Sequence, residues 1–262
     1  MMIGIKTTQQ IQAMREGGKI LAMILKELEK AVKPGITTKS LDELAVELVL
    51  FHKVRPSFLG YGGFPAVLCT SVNDEVVHGV PSERVLKEGD ILSLDFGIIH
   101  GDLNTDMAIT LPVLGKLSKK EWQSKNKKTA KLIEVTKQAL DAGIDAVKVG
   151  NRVGAIGYAV QTYVEKHGFG VVRDLVGHGV GKKLHEEPYV PNFGHPDEGP
   201  ILKEGITIAI EPMVTCGGWE VKTGDDGFVF VTTDGSLSAH FEHTILITAD
   251  GQEVLTPHSD EH

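Results

Sequence analysis

The stretch from Leu92 to Thr110 carries two aspartates that could do chemistry together. It predicts two β-strands joined by a tight turn at His100-Gly101 or at Gly101-Asp102. With the first turn, Asp95 and Asp106 lie directly opposite each other, and with the second they are diagonal neighbours on one face. Facing like charges destabilise a sheet, and at ~5 Å with an effective dielectric constant of ~20 the repulsion is on the order of 3 kcal/mol. A buried pair would therefore need a cation between the two carboxylates.

The flanking residues indicate whether this pair is buried. Two acids that faced water would be screened and would need no partner. Here the strands carry apolar residues at both odd and even positions, which is typical of a sheet covered on both faces: Leu92, Leu94, Ile98, Ile99, Ala108 and Ile109. We therefore expect the acids to be buried, and buried carboxylates require partners.

Three further residues extend this set of candidate metal ligands. Glu211 and Glu242 lie in strand-like segments, and His178 lies in the glycine-dense segment Gly177–Gly181. Four carboxylates with one imidazole are typical of an oxygen-rich site for Mn, Fe, Co or Zn, and two divalent ions balance four carboxylates better than one ion does. A metal pair also bridges a water, and supplies a hydroxide nucleophile and a Lewis acid for a carbonyl group. The ordinary alternatives are a loop histidine bonded to the backbone for His178 and an edge-strand salt bridge for Glu242.

The elements that must position these residues alternate between helices and strands. Apolar residues at helical spacing predict helices over 8–32, with Thr8 as N-cap, and over 40–52, 126–146 and 151–167. Short strands are predicted at 66–69 and 76–78, across a turn at Asn73-Asp74. Further strands are predicted within 168–180, 198–213, 227–231 and 239–248. Each half of the chain thus runs helix, helix, strands.

Two short motifs recur at nearly the same offset. Val32–Gly35 recurs as Val147–Gly150, 115 residues later, and Leu86–Gly89 recurs as Leu202–Gly205, 116 residues later. One match of four residues would be chance, whereas two at nearly one offset indicate an internal duplication.

The duplication predicts how the chain is organised. We expect a single catalytic domain over 1–262, built from related halves at about 8–113 and about 114–257. The offset places Asp95 at the position of Glu211, six residues past each recurring glycine. Each half is therefore predicted to supply one acid from the equivalent position of the equivalent strand.

Composition excludes several classes of protein. The 262 residues, 41% of them hydrophobic, suffice for a sizeable core. A formal charge of -8 argues against a DNA-binding surface. The lysine-rich run Lys116 to Lys131 is a local exception. It is either a solvated helix start or a contact for an anionic partner such as ribosomal RNA. Cys69 and Cys216 are too few for a disulfide framework and indicate a reducing compartment. With no secretory signal and no membrane-spanning apolar run, we expect a cytoplasmic protein without membrane contact.

Six segments follow one another along the chain with a characteristic spacing: Ser71–Pro81, Asp95–Asp106, Gly177–Gly181, His185–Pro188, Ile210–Met213 and Ser238–Thr244. Together they resemble the successive motifs of type I methionine aminopeptidases, in the short bacterial-like form without an N-terminal extension. The resemblance implies the "pita-bread" α/β (α+β) fold, a pseudo-two-fold arrangement of two related halves in which helices cover a curved, antiparallel-rich sheet. It implies removal of the initiator methionine from nascent proteins when the second residue is small.

The resemblance also implies a role for each candidate ligand. By it, His178 and Glu211 bind one of two divalent metals, Asp95 binds the other, and Asp106 and Glu242 bridge the two. Glu211 would also shuttle the proton of the bridging water.

Two further histidines and a methionine pocket are implied in the same way. His78 would contact the side of the scissile amide nitrogen, and His185 the carbonyl oxygen as charge develops there. The implied pocket has aromatic and sulfur-containing walls that suit a thioether: Tyr61, Phe64, Cys69, His78 and Phe228, with Phe58 and Leu184 at its edges. Plain core packing is the alternative for part of this list. No triad motif surrounds Cys69, so it is not expected to be a nucleophile.

The spacing of two candidate ligands indicates which type of methionine aminopeptidase the chain resembles. Only 33 residues separate His178 from Glu211, which leaves no room for the long insertion of the type II family. A proline-directed aminopeptidase of the same fold and a non-catalytic binding member are the two rival hypotheses. We expect a monomer whose partners are the N-terminal methionine peptides of nascent chains, with a transient ribosome contact as a further possibility.

Overall fold

The computed structural model describes residues 3–257, in which five α-helices accompany fifteen β-strands. The helices are α1 Thr8–Ala31, α2 Thr38–His52, α3 Lys119–Lys125, α4 Lys127–Asp145 and α5 Val153–Lys166, with a 3-10 turn at Tyr61–Gly63. The strands are β1 Arg55–Pro56, β2 Cys69–Val72, β3 Glu75–Val77, β4 Ile91–His100, β5 Leu103–Pro112, β6 Gly170–Val171, β7 Val176–Gly179, β8 Glu186–Pro191, β9 Thr207–Ile210, β10 Met213–Thr215, β11 Val221–Thr223, β12 Phe230–Thr232, β13 Ser238–His240, β14 Glu242–Thr248 and β15 Gly251–Val254. None of the helices in this range is both long and apolar enough to cross a membrane.

A nine-stranded sheet runs through the middle of the fold. Its strands follow one another in the order β1-β4-β5-β14-β9-β7-β8, while β2 also pairs with β4 and β15 with β14. Two smaller sheets, β13-β10-β6 and β11-β12-β3, complete the strand pairing. All of the pairings between strands in the described range are antiparallel, which confirms the predicted mixed fold with its antiparallel-rich sheet.

The main core lies between this sheet and the helices. Helix α1 packs on β4 and β5, and α4 packs on β9 and β14 of the same sheet and on β10 and β13. Because side chains alternate along a strand, β4 presents Leu92, Leu94, Phe96 and Ile98 to this core, where each is buried. The alternate residues of β4, among them Asp95, consequently face away from the helices.

The starts of two helices differ from those predicted, and one short helix was not predicted. Thr7, not Thr8, caps α1, because its hydroxyl accepts from the Gln10 amide while the Gln10 side chain accepts from the Thr7 amide. Helix α2 begins at Thr38, after the N-cap Thr37. The predicted helix over 126–146 is confirmed as α4, but the short helix α3 before it was not predicted; Asn126, with a φ of -117°, separates the two helices.

Two strand predictions near the site are also wrong at one end. Residues 66–68 are not a strand, because the amides of Val67 and Leu68 donate to the Asp42 carboxylate, at 2.9 and 3.0 Å, instead of to a neighbouring strand. Strand β2 therefore begins at Cys69. His78 does not extend β3, since its φ of 60° turns the chain out of the sheet.

Candidate metal centre and active site

The register of the β4-β5 hairpin decides how the two central aspartates meet. Asp95 pairs with Ala108 and Gly97 pairs with Asp106, so the turn lies at Gly101-Asp102. The two carboxylates are diagonal neighbours on one face, as the second of the predicted registers requires. Each acid faces alanine or glycine across the strand pair, which leaves room between the strands for the carboxylate groups.

The same face continues across the neighbouring strands and gathers the other candidate ligands. On β14, Glu242 pairs with Ala108 of β5 and Thr244 pairs with Ala209 of β9. Since side chains alternate, Glu211 follows Ala209 on this face, just past the end of β9. On β7, Gly179 pairs with Ile208 of β9, the residue before Ala209. Because side chains alternate, His178 therefore lies on the same face as Ala209.

Backbone contacts hold the site residues in place. The Thr244 hydroxyl donates to the Asp106 carbonyl and accepts from the Asp106 amide, both at 2.9 Å. The Asn192 side-chain amide donates to the Glu211 carbonyl at 2.9 Å. These bonds tie strands of different parts of the chain to one another at the point where the carboxylates converge.

The His178 ring is oriented as a metal ligand would be. Its Nδ1–H donates a hydrogen bond to the Gly179 carbonyl at 2.9 Å, which leaves the lone pair on Nε2. Nε2 lies 3.6 Å from Oε1 of Glu211. Two ligand atoms that each lie about 2.1 Å from one metal in tetrahedral geometry are separated by about 3.4 Å, so this pair fits a shared ion.

The electrostatics of the cluster favour a bound cation. Burial, together with the mutual repulsion of the carboxylates, raises the pKa values of Asp95 and Glu242 well above their ordinary range. Burial first, and repulsion by Glu211 second, raises the pKa of Asp106, and burial raises that of Glu211. Burial lowers the pKa of His178 to about 3, which keeps its ring neutral and able to bind metal.

Unpartnered polar atoms provide an independent test of the fit to a metal. Oδ1 of Asp95 and Oε1 of Glu242 are buried without a hydrogen-bond partner among residues 3–257. Ligand atoms of Asp106, His178 and Glu242 lie within 4.8 Å of one another. Buried carboxylate oxygens without donors are costly unless a cation neutralises them, so the donor set fits divalent metal.

The two predicted non-ligand histidines also reach this site. The His185 ring centroid lies 4.2 Å from that of His178, and Tyr61 Oη lies 3.1 Å from Nδ1 of His185. His78 packs edge-on against Phe230 at 5.8 Å. Burial lowers the pKa of His78 to about 4, and partial desolvation also lowers that of His185, so both rings are neutral at pH 7.

A cavity of about 180 Å³ joins the metal-ligand set to an apolar pocket. Phe64 and Phe228 meet edge to face at 5.6 Å on its apolar side, and the Cys69 thiol has a raised pKa because it is buried near the carboxylates. All thirteen predicted site residues line this one cavity: Phe58, Tyr61, Phe64, Cys69, His78, Asp95, Asp106, His178, Leu184, His185, Glu211, Phe228 and Glu242.

One polar residue near the cluster was missed by the sequence analysis. His240 is 1% exposed, and its Nε2 lies 3.6 Å from Oε2 of Glu211 and 3.9 Å from Oε2 of Glu242. Burial lowers its pKa to about 3. The available signal was its position two residues before Glu242, but a histidine on an apolar stretch is more often a core residue than a site residue.

Comparisons with known proteins agree with this site. Residues 12–249 match the model of metallopeptidase family M24. The methionine aminopeptidase of Clostridium acetobutylicum is 49% identical over 97% of this chain and 99% of its own length, and methionine aminopeptidase 1 of Bacillus subtilis is 48% identical over 97% of this chain and 99% of its own length. The crystal structure of the methionine aminopeptidase from Thermotoga maritima superposes with a TM-score of 0.91, at 44% identity, over 97% of this chain and 99% of that one.

Fold, donor set and sequence together define a metal-dependent peptidase with the pita-bread architecture. The chain is a member of metallopeptidase family M24. Within that family it belongs with the methionine aminopeptidases, because its full-length relatives at 48 and 49% identity carry that name. The predicted family, fold and enzyme class are therefore confirmed.

Proposed function

We propose that the protein removes the initiator methionine from nascent polypeptides whose second residue is small. The observation that carries this proposal is the single cavity of about 180 Å³. It joins a carboxylate-rich cluster that fits metal to an apolar pocket lined by aromatic residues. An exopeptidase requires this combination, since it must bind one terminal residue beside the reacting amide bond.

In this proposal, two divalent ions occupy the cluster. Asp95 would hold one ion, His178 and Glu211 would hold the other, and the carboxylates of Asp106 and Glu242 would serve both. When bound, the ions would supply Lewis acidity towards the scissile carbonyl and lower the pKa of a water molecule. Mn, Fe, Co and Zn all suit this set of oxygen ligands with one imidazole. Anomalous scattering measured at the absorption edges of these metals, on protein as isolated, would identify the native ion.

The chain's own residues would position the substrate and move the proton. With the ions bound, Glu211 would be the carboxylate that accepts a proton from water. Neutral His185, at the cavity mouth, would donate a hydrogen bond to the carbonyl oxygen as charge develops, and neutral His78 would lie beside the amide nitrogen. Phe58, Tyr61, Phe64, Cys69, Leu184 and Phe228 would enclose the methionine side chain.

The test is release of free methionine from a Met-Ala-Ser peptide by the purified protein supplied with each candidate metal in turn. We expect metal-dependent release that stops with EDTA. Glu211→Gln, which keeps the size of the side chain but removes the base and a ligand charge, should abolish it. A metal-replete protein that leaves the peptide intact would refute the proposal, and cleavage of a proline-containing dipeptide in its place would support the proline-directed rival.

A ribosome contact of the lysine-rich run is a further part of the proposal. Seven lysines of this run are exposed in α3, α4 and the adjoining loop: Lys116, Lys119, Lys120, Lys125, Lys127, Lys128 and Lys131. Such a cluster favours a phosphate backbone even on an acidic protein. Sedimentation with ribosomes should weaken steeply with salt and with Lys119→Glu/Lys120→Glu, whereas Lys19→Glu, on α1, serves as the control. A monomer resident in the cytoplasm would be consistent with this contact.

The domain organisation also remains a proposal: one catalytic domain built from two related halves. It is supported by the recurring motifs, since the Gly35 amide donates to the Leu86 carbonyl at 2.9 Å and the Gly150 amide donates to the Leu202 carbonyl at 3.0 Å. Both glycines adopt nearly the same left-handed φ, 90° and 92°. We expect one cooperative unfolding transition, because ligands from both halves share one centre; two separate transitions would contradict a single domain.

A further inference from the structure

His240 and His178 present two imidazoles to the same carboxylate, on opposite sides. Nε2 of His178 lies 3.6 Å from Oε1 of Glu211, and Nε2 of His240 lies 3.6 Å from Oε2 of Glu211. The two oxygens of one carboxylate therefore each face a different histidine. What each histidine can do depends on which ring nitrogen carries the proton.

The surroundings of the two Nδ1 atoms differ. Nδ1 of His178 lies 2.9 Å from the Gly179 carbonyl, so its proton is on Nδ1 and its lone pair is on Nε2. Both ring nitrogens of His240 are buried without a hydrogen-bond partner among the described residues, and the carboxylate oxygens nearest to the ring approach Nε2. A histidine that binds metal through one nitrogen almost always donates from the other, and His240 lacks the acceptor that such a ligand needs.

A proton on Nε2 of His240 is therefore the favoured arrangement. In that position the N–H faces two carboxylate oxygens, Oε2 of Glu211 at 3.6 Å and Oε2 of Glu242 at 3.9 Å. Neither position gives the proton an acceptor within 3.5 Å, but a proton on Nε2 is attracted by these two carboxylate oxygens, which favours that position. The tautomer of His240 is consequently the opposite of that of His178.

Two hydrogen bonds hold the backbone of His240, whose side chain is buried. The Thr110 hydroxyl donates to the His240 carbonyl and accepts from the His240 amide, both at 2.8 Å. The Thr110 hydroxyl is also hydrogen-bonded to the Ser93 hydroxyl, at 2.8 Å. Thr110 and Ser93 lie on β5 and β4, so the strands that carry Asp106 and Asp95 also hold His240.

From these contacts we propose that His240 is a positioning residue, not a metal ligand, and that its Nε2–H holds Oε2 of Glu211. Oε1 of Glu211 is thereby directed to the side of His178, where the ligand geometry fits a metal. The distance of 3.6 Å is longer than a good N–H···O bond, at about 2.9 Å. Hydrogen bonds of this kind are commonly long before the site is loaded and shorten in the working complex. The inference rests on the proposed roles of Glu211 as ligand and base.

Two substitutions of similar size separate hydrogen bonding from packing. His240→Gln keeps a side-chain N–H donor, and His240→Met keeps the volume without a donor. We expect the Met variant to lose kcat by about 10- to 100-fold with KM nearly unchanged, the factor that corresponds to a hydrogen bond to a charged group. The Gln variant should recover most of that loss. Equal activity of the Gln and Met variants would overturn the proposal.

A second measurement needs no variant at position 240 and no turnover. In zinc-loaded protein, the nitrogen-15 resonance of His240 Nε2 should be that of a protonated nitrogen, and that of His178 Nε2 should be that of a metal-bound one. The His240 resonance should move in Glu211→Gln more than in Glu242→Gln. An unprotonated, zinc-bound Nε2 at His240, or a response confined to Glu242→Gln, would overturn the proposal. Absence of methionine release with the expected resonances would instead count against the proposed function alone.

Discussion

The two walls of the cavity are built in different ways. The ligand wall, formed by Asp95, Asp106, His178, Glu211 and Glu242, comes from one face of the main sheet and its strand ends, and four of its five members are buried. The pocket wall, formed by Tyr61, Phe64, His185 and Phe228, comes from loops and the 3-10 turn, and Tyr61 and His185 are exposed. Strand register fixes the ligand wall, whereas local turns fix the pocket wall.

This difference predicts different responses to substitution. A change in the ligand wall alters a buried charge that the sheet cannot move away from, so its effects on turnover and on stability should both be large. A change in the pocket wall alters contacts at a cavity mouth, so it should affect substrate binding with little effect on stability.

Asp106→Asn should abolish turnover and yet stabilise the metal-free protein. The change removes one charge from the metal-ligand set, and we expect a loss in kcat of more than ~1,000-fold, or about 4 kcal/mol. Without metal, it also removes one of four mutually repelling buried carboxylates, so the Tm measured in EDTA should rise. Asp102→Asn, on the exposed turn of the same hairpin, is the matched control. Activity like that of the wild type in metal-replete Asp106→Asn would contradict the ligand role.

Removing the metal should make stability fall with rising pH between about pH 6.5 and pH 8. The four carboxyl groups have raised pKa values in the folded protein, for Asp106 and Glu211 about 8. In this window the folded state therefore holds more protons than the unfolded state, and each group contributes at most about 1.4 kcal/mol per pH unit.

Below pH 6.5 the buried histidines act in the opposite direction. The pKa values of His78, His178 and His240 are lowered to about 4, 3 and 3, so the unfolded state there holds more protons on these rings. The stability of the metal-free protein should therefore change less with pH between pH 6.5 and pH 4. Urea unfolding in EDTA at pH 6.5 and pH 8, repeated with saturating zinc, measures the effect; an equal slope with and without metal would show that the ligand wall is not its source.

Phe228→Ala should weaken substrate binding without unfolding the protein. The ring is half-buried and packs edge to face on Phe64 at 5.6 Å, so its loss removes apolar contact from the pocket. We expect KM for a methionine peptide to rise by about 10- to 30-fold, corresponding to ~1.5–2 kcal/mol, with a smaller change in kcat. Phe51→Ala, at an exposed ring on α2, is the control. A change in kcat alone would indicate that Phe228 acts on the reaction rather than on binding.

Tyr61→Phe should have the smallest effect. It removes the hydroxyl that lies 3.1 Å from Nδ1 of His185 at an exposed position, while keeping the ring. A hydrogen bond of this kind contributes about 1 kcal/mol, so kcat/KM should fall by about 5-fold with the Tm unchanged. A loss as large as that of Asp106→Asn would erase the contrast between the two walls.

The sequence by itself determined the donor chemistry and much of the fold. Acids between apolar strand residues predicted burial, and the recurring glycine motifs related Asp95 to Glu211 from the sequence alone. The spacing of apolar residues along the chain predicted the main helices and the β4-β5 hairpin, because this spacing depends only on residues that are close in sequence.

Tertiary structure decided the features that depend on distant partners. It selected the diagonal register of Asp95 and Asp106, began β2 at Cys69 because Asp42 takes the preceding amides, and gave His78 its left-handed backbone. It also brought His240 beside Glu211, where no acceptor reaches Nδ1 among the described residues. Hydrogen bonds between residues far apart in the chain fix these features, and such bonds leave no periodic trace in the sequence.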